Sequence, residues 1–227
     1  MTFSIAARDP QSGTLGIAIS TAVPSVGATC LYVKQGVGAI ASQASTNPRL
    51  GSDGLKLLEL GLSPEIAITT LLNDDQGASR RQVGAVDVWG RVFAYSGAEC
   101  EGWFGHRTSA PNGEHQYSAQ GNMLVSGDTI DAMAATFEAA SGHLAERLVA
   151  ALEAGQAAGG DKRGRVSAAL LVRPPLTVAR PLWESADVRV DEHPDPLAEV
   201  RRIFDIVQRQ AREIQAELER LRDARGK

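Results

Sequence analysis

The second residue concentrates the most reactive chemistry in this sequence. Met1-Thr2 puts a small hydroxyl residue behind the initiator methionine, a pairing that permits removal of the methionine. A freed Thr2 would hold nucleophile and base on one residue. Its α-amine, with an ordinary pKa of about 8, can take the Oγ proton directly or through one water as the oxygen attacks a carbonyl carbon. Many proteins begin Met-Thr without using it, so spacing alone leaves catalysis open. Other constellations fail on inspection. No serine has glycine at both −2 and +2, so there is no nucleophile elbow. His106, His115, His143 and His193 lack H-E-x-x-H spacing and partner cysteines, and no metal site is expected. Gly155 and Gly160 bound a G-x-x-x-x-G run, but Asp161 stands where a phosphate loop needs lysine. Cys30 and Cys100 read as core thiols, because nothing near them in sequence would lower their pKa.

The remaining residues must position Thr2. The chain has 227 residues, 43% hydrophobic and 22% charged, a globular composition without low-complexity segments or repeats. A net charge of −4 and 5% aromatic content argue against a nucleic-acid surface, which needs a basic stripe and stacking platforms. The uncharged stretch from Pro10 to Val33 is broken by glycines and Pro24, so no membrane span is expected. Two cysteines and no secretory h-region point to a soluble, cytoplasmic protein.

Thr2–Arg8 alternates Phe3, Ile5 and Ala7 with Thr2, Ser4 and Ala6, the period of a half-buried strand. Asp9–Gly13 is a turn leading to a strand over Leu15–Ser20, and Thr29–Val33 with Val37–Gln43 forms a hairpin around Gly36. Helices are predicted from near Ser52 to Gly61 and from Pro64 to about Leu72, the second opened by Ser63-Pro64. A hairpin brackets Asp87–Gly90 between Gln82–Val86 and Arg91–Tyr95. Glu99–His115 reads as loop, Tyr117–Gln120 as a short strand, and Asp128–Ala140 and Leu144–Ala157 as helices. Val166–Val172 and Asp187–Val190 complete the strands. Runs of strands followed by paired helices indicate α+β rather than alternating βαβ. We expect a four-layer αββα sandwich over residues 1–193 and a helical extension over 194–227.

Several blocks together resemble a bacterial domain-of-unknown-function family, number ten-twenty-eight. They are Thr2–Pro10, Gly16–Ser20, Gly36–Gln43, Gln120–Leu124 and Gly159–Ala168, in order over nearly residues 1–200. That family is placed among the N-terminal-nucleophile (Ntn) hydrolases, which implies the same sandwich and names no substrate. By similarity to proteasome-type members, Thr2 would be the nucleophile and the turn at Gln43, Ala44 and Ser45 would offer a backbone N–H to an oxyanion. Asn122 would stand near the nucleophile where relatives place a hydroxyl, and Asp161 and Ser167 would orient the amine. The sequence departs from the pattern at one point: relatives carry a lysine on the third strand, where this chain has Thr29-Cys30-Leu31, with Lys34 several residues later. Each supporting residue has a structural alternative. Asn122 suits a cap or turn, Asp161 an ion pair with Arg163, and Ser167 an ordinary strand position.

The candidate substrate-binding residues are Gln43, Ser45, Thr46, Asn47, His106 and Arg163. Thr46-Asn47-Pro48-Arg49 follows the presumed oxyanion strand, and His106 belongs to a Gly102–Thr108 segment that could serve as a lid. Arg163, Arg49 and Arg107 could each hold a carboxylate. The expected function is hydrolysis of a C–N amide bond in a small molecule, without metal or organic cofactor. The alternative is a non-catalytic ligand-binding or assembly protein on the same fold. Finally, Val200, Phe204, Val207, Ala211, Ile214, Leu218 and Leu221 form a heptad seam. A helix over about Leu197–Asp223 with this seam predicts a homo-oligomer, most simply a dimer; the competing expectation is that it folds back over its own sheet.

Overall fold

The structure, a computed structural model, describes residues 2–111, 113–176 and 182–225. Met1, whose removal the sequence suggests, lies outside them. Among the described residues, ten strands form two antiparallel sheets. β1 (Thr2–Arg8), β2 (Leu15–Thr21), β7 (Trp103–Thr108), β8 (Gln116–Leu124), β9 (Ser167–Arg173) and β10 (Ala186–Val190) make a six-stranded sheet in the order β10-β9-β2-β1-β8-β7. β3 (Leu31–Lys34), β4 (Gly38–Ala44), β5 (Arg81–Asp87) and β6 (Val92–Ser96) make a four-stranded one in sequence order.

The alternation in β1 divides two environments. Phe3, Ile5 and Ala7 join a core with α4 (Asp128–Ala139) and α5 (Leu144–Ala157). Ala6 instead joins Leu15, Ile17, Ala39, Ala41 and Val86, where the two sheets meet. On the four-stranded sheet, Ile40, Val83 and Ala85 pack against Leu50, Leu58 and Ile68 of α2 (Pro48–Glu59) and α3 (Pro64–Asn73). The chain is thus α+β, with two antiparallel sheets in contact and helices packed on each.

Several elements differ from the sequence expectation, β8 among them, which runs to Leu124 instead of Gln120; three of the differences have a local reason. α2 starts four residues earlier than Ser52, because Asn47 caps it by accepting from the Arg49 N–H at 3.1 Å and Pro48 opens its first turn. Gly51 and Gly54, which weaken a helical reading, are close-approach positions: a Cβ on Gly51 would lie 2.1 Å from the Tyr32 ring. Gly51→Ala should therefore cost about 1–3 kcal/mol by overpacking, measurable as a lower denaturant midpoint, and Gly51→Ala/Tyr32→Ala should recover part of it. Second, Val26–Thr29 forms one helical turn, α1, which delays β3 to Leu31. Third, residues 103–108 form the edge strand β7, with a bulge between Trp103 and Gly105, where the glycine and aromatic content suggests loop.

The C-terminal helix α6 spans Pro196–Arg225. Its first turns belong to the main core, with Leu197, Val200 and Phe204 buried beside β9 and β10. Arg201 fixes it further, with two hydrogen bonds of 2.9 Å to Glu153 and one of 2.7 Å to Glu146 on α5. These carboxylates hold the Arg201 pKa above its ordinary value. The expected extension from residue 194 is therefore continuous with the body at its start. Among the described residues, no helix is long and apolar enough to cross a membrane.

Candidate functional site

Thr2 begins β1 between β2 and β8, paired in register with Thr21 on one side and Asn122 on the other. Its hydroxyl oxygen lies 3.1 Å from that of Thr21. Thr2, Asn122, Ser45, Thr46 and Arg163 all line one cavity of about 320 Å³, whose walls include Val23, Val26, Cys30, Cys100 and Met123. The small side chains at the strand ends leave this space open at the edge of the two sheets.

The cavity wall is built from strained backbone. Among the described residues, three outside glycine have left-handed φ: Ala44 at 67°, Met123 at 51° and Ser25 at 61°. Ala44 and Met123 line the cavity, and Ser25 lies between the lining residues Val23 and Val26. Each such conformation costs on the order of 1–3 kcal/mol and persists only where the surroundings impose it. Here they do. The Met123 N–H donates to the Glu101 carbonyl at 2.8 Å, and the Ser25 N–H donates to the Asp191 carbonyl at 2.9 Å. Ala44 ends β4 opposite Arg81.

Beneath Thr2, the space between the sheets changes from apolar to polar. Gln82 is wholly buried, and its Oε1 accepts from Gln43 Nε2 at 2.8 Å and from Asn122 Nδ2 at 2.9 Å. Its Nε2 donates to Ser96 Oγ and the Gly121 carbonyl at 2.8 Å, and to the Gly105 carbonyl at 3.1 Å. Gln43 also reaches the Thr2 carbonyl at 3.3 Å and accepts from Ser4 Oγ at 2.7 Å. Gln120 donates to Ser4 Oγ at 2.6 Å, and Gly84 leaves it room: a Cβ there would meet its Oε1 at 1.9 Å. Buried carboxamides cost several kcal/mol unless paired, and these pair with one another across the two sheets. Asn122 is thereby oriented by Gln82, and among the described residues its Oδ1 has no protein donor.

The sequence candidates separate by position. Thr2, Asn122, Ser45, Thr46 and Arg163 converge on the cavity. Gln43 lies under it, in the polar layer. Asn47 does not line it: its Oδ1 caps α2 and its Nδ2 donates to Asp75 Oδ2 at 2.7 Å. His106 faces Ser96, with Nδ1 3.0 Å from the serine Oγ, and is not part of the wall. Asp161 is buried, accepting from the Ala22 N–H at 3.1 Å and from Arg163 at both its N–H, 2.8 Å, and its guanidinium, 3.3 Å. Ser167 donates to the Val23 carbonyl at 2.6 Å and accepts from the Val26 N–H at 3.1 Å. Asp161 and Ser167 therefore fasten the 22–26 segment that forms one wall. Of the three arginines, Arg49 pairs with Asp53 and Arg107 with Asp131, both away from the cavity.

Sequence reasoning missed Thr21, Gln82, Met123 and Arg80, and placed Cys30 and Cys100 only in the core. Both thiols are buried and also line the cavity. Burial pushes the Cys100 thiol pKa up. The Cys30 Sγ lies 3.5 Å from Thr29 Oγ1 and 3.6 Å from Thr46 Oγ1. Lys34 pairs with Glu59 at 2.5 Å, and among the described residues no lysine lines the cavity.

The 44–47 turn is held by an ion pair. Arg81 donates to Asp75 at 2.9 and 3.1 Å, and to the Ser45 carbonyl and hydroxyl at 2.6 and 2.9 Å. Arg81, with Asn47 and the Gly77 N–H, holds the Asp75 carboxyl well below the usual carboxylate range. This pair stabilises the fold above the unfolded carboxylate pKa of about 4. The stabilisation is lost as pH falls through the depressed folded value. Asp75→Asn should lower stability by about 2 kcal/mol at neutral pH. Thermal melts from pH 7 to pH 2 should show the gap to the unmodified protein closing below pH 4. A constant gap would contradict this role.

No curated protein matches the chain. A crystal structure of a Silicibacter pomeroyi protein ascribed to DUF1028 matches with a TM-score of 0.79 and 33% identity, covering 90% of this chain and 84% of that one. The model of the family of unknown function DUF1028 matches residues 2–200, which carry both sheets and every residue of the cavity wall, and the chain belongs to that family.

Proposed function

We propose that the protein is an amide hydrolase of the Ntn type, an αββα sandwich using Thr2 as nucleophile once Met1 is removed. One observation carries this reading. Thr2, the first residue of a central strand, lines a cavity whose wall holds left-handed backbone at Ala44 and Met123. Thr2 Oγ attacks the amide carbonyl carbon, and the Thr2 α-amine takes its proton. The C–N bond then breaks, the amine leaves with that proton, and water hydrolyses the ester on Thr2 to a carboxylic acid. Oxyanion stabilisation falls to the turn after β4. The Ser45 N–H is spent on the Arg80 carbonyl at 3.1 Å, whereas the Thr46 N–H has no protein acceptor among the described residues. We assign it the oxyanion role. Asn122 would orient the substrate amide, and Arg163, with Arg80, would meet a substrate carboxylate at the mouth. The substrate is a small molecule, in keeping with a cavity of about 320 Å³.

The test is a panel of small acyl-amides and ureido acids, screened by release of ammonia or amine. Turnover that requires the Thr2 hydroxyl supports the reading. The Thr29-Cys30-Leu31 segment, where the resemblance to proteasome-type members implies a lysine, favours the second reading, a binding protein on the same fold. Ligand binding in this cavity without turnover by protein that has lost Met1 would establish it.

A further inference from the structure

The heptad seam of α6 divides at Ala211. Up to that point most of it is covered by the body: Phe204 is wholly buried, Ala211 is 8% exposed, and the buried Gln208 donates to the Trp183 carbonyl at 2.6 Å, while Val207 between them is 36% exposed. Beyond it the helix continues to Arg225, about 20 Å at 1.5 Å per residue. Ile214 and Leu218 are each 53% exposed and Leu221 is 49% exposed. The seam thus keeps its period after its own domain has ended. A lone helix of this length is marginal in water without a covered face.

We propose that this distal seam pairs with the same segment of a second copy, in parallel register. The flanking charges select both the occupant and the direction. With Leu218 at a, and Ile214 and Leu221 at d, Glu217 falls at g, and Gln215 and Arg222 at e. Parallel pairing sets each g against the e five residues on in the partner, so that Glu217 meets the partner's Arg222 twice across the two-fold. Antiparallel pairing sets g against g and e against e, which pairs no acid with a base at these positions. The intrachain alternative, Arg220 with Glu217 at 3.4 Å, is an exposed pair that contributes little. Fewer than two heptads cover less than the roughly 1,600 Å² of a standard interface, so the dimer is concentration-dependent.

Sedimentation equilibrium of the full chain tests this, from about 1 to 200 µM, a range set for an interface below standard size. The dimer fraction should rise with concentration. Leu218→Glu should leave a monomer with an unchanged melting temperature, since Leu218 lies outside the core. Glu217→Arg should weaken association at least tenfold, and Glu217→Arg/Arg222→Glu should restore it to within threefold. A monomer throughout the range, a larger assembly, or a dimer indifferent to Leu218→Glu overturns the proposal. Failure of the charge swap to restore association overturns the parallel register.

Discussion

Thr2→Ala is expected to lower amide turnover by at least about a thousandfold, the usual consequence of removing a covalent nucleophile. The fold should survive. Thr2 is the first residue of β1, its pairing with Thr21 and Asn122 is through the backbone, and its Oγ1 contact to Thr21 is one hydroxyl pair. The expected stability loss is therefore about 1 kcal/mol or less. Thr2→Ser should keep measurable turnover, because it retains the hydroxyl and the amine. Steady-state rates and thermal melts on the same preparations separate the two effects. Turnover by Thr2→Ala within tenfold of the unmodified protein would remove the hydroxyl from the mechanism.

The second large effect is expected at Gln82. Gln82→Leu keeps the approximate volume but strands the side-chain donors of Gln43 and Asn122 and the carbonyls of Gly105 and Gly121. At about 1–3 kcal/mol for each buried group left unpaired, partly relieved by relaxation, a loss of at least 3 kcal/mol follows. It should appear as a large drop in the urea midpoint. Gln82→Glu is the sharper variant. It keeps an acceptor toward Asn122 and Gln43 while losing the amide donor, so the Asn122 orientation should persist in a destabilised fold. If stability were unaffected by both, the polar layer would not be what joins the sheets beneath Thr2.

The parts of this arrangement that the sequence reveals are those fixed by local periodicity. The alternation of Thr2–Arg8 foretells which residues face the helices and which face the other sheet, and the observed cores follow it residue by residue. The seam of α6 is equally legible, yet where its cover ends is not, because that depends on how far β9, β10 and Trp183 reach along it. Gln82 gave no local signal, since a glutamine at the start of a strand is unremarkable until pairing brings Gln43, Asn122 and Gly121 to it. For the same reason Asp161 and Ser167 could be matched by resemblance, but their role in fastening residues 22–26 emerges only from the tertiary structure. Glycine inside α2 and left-handed backbone at Ala44 and Met123 are cases in which packing overrides local preference.

The proposed nucleophile is Thr2 with its amine freed. Mass spectrometry of the purified protein after incubation with a β-lactone tests it most directly, because opening of the lactone by the nucleophile leaves a stable ester. The expected product is a polypeptide lighter by one methionine residue, carrying one added lactone that fragmentation maps to Thr2 and that Thr2→Ala abolishes. Retention of Met1 throughout the population, or an adduct mapped to Cys30 or Cys100 in place of Thr2, would contradict it.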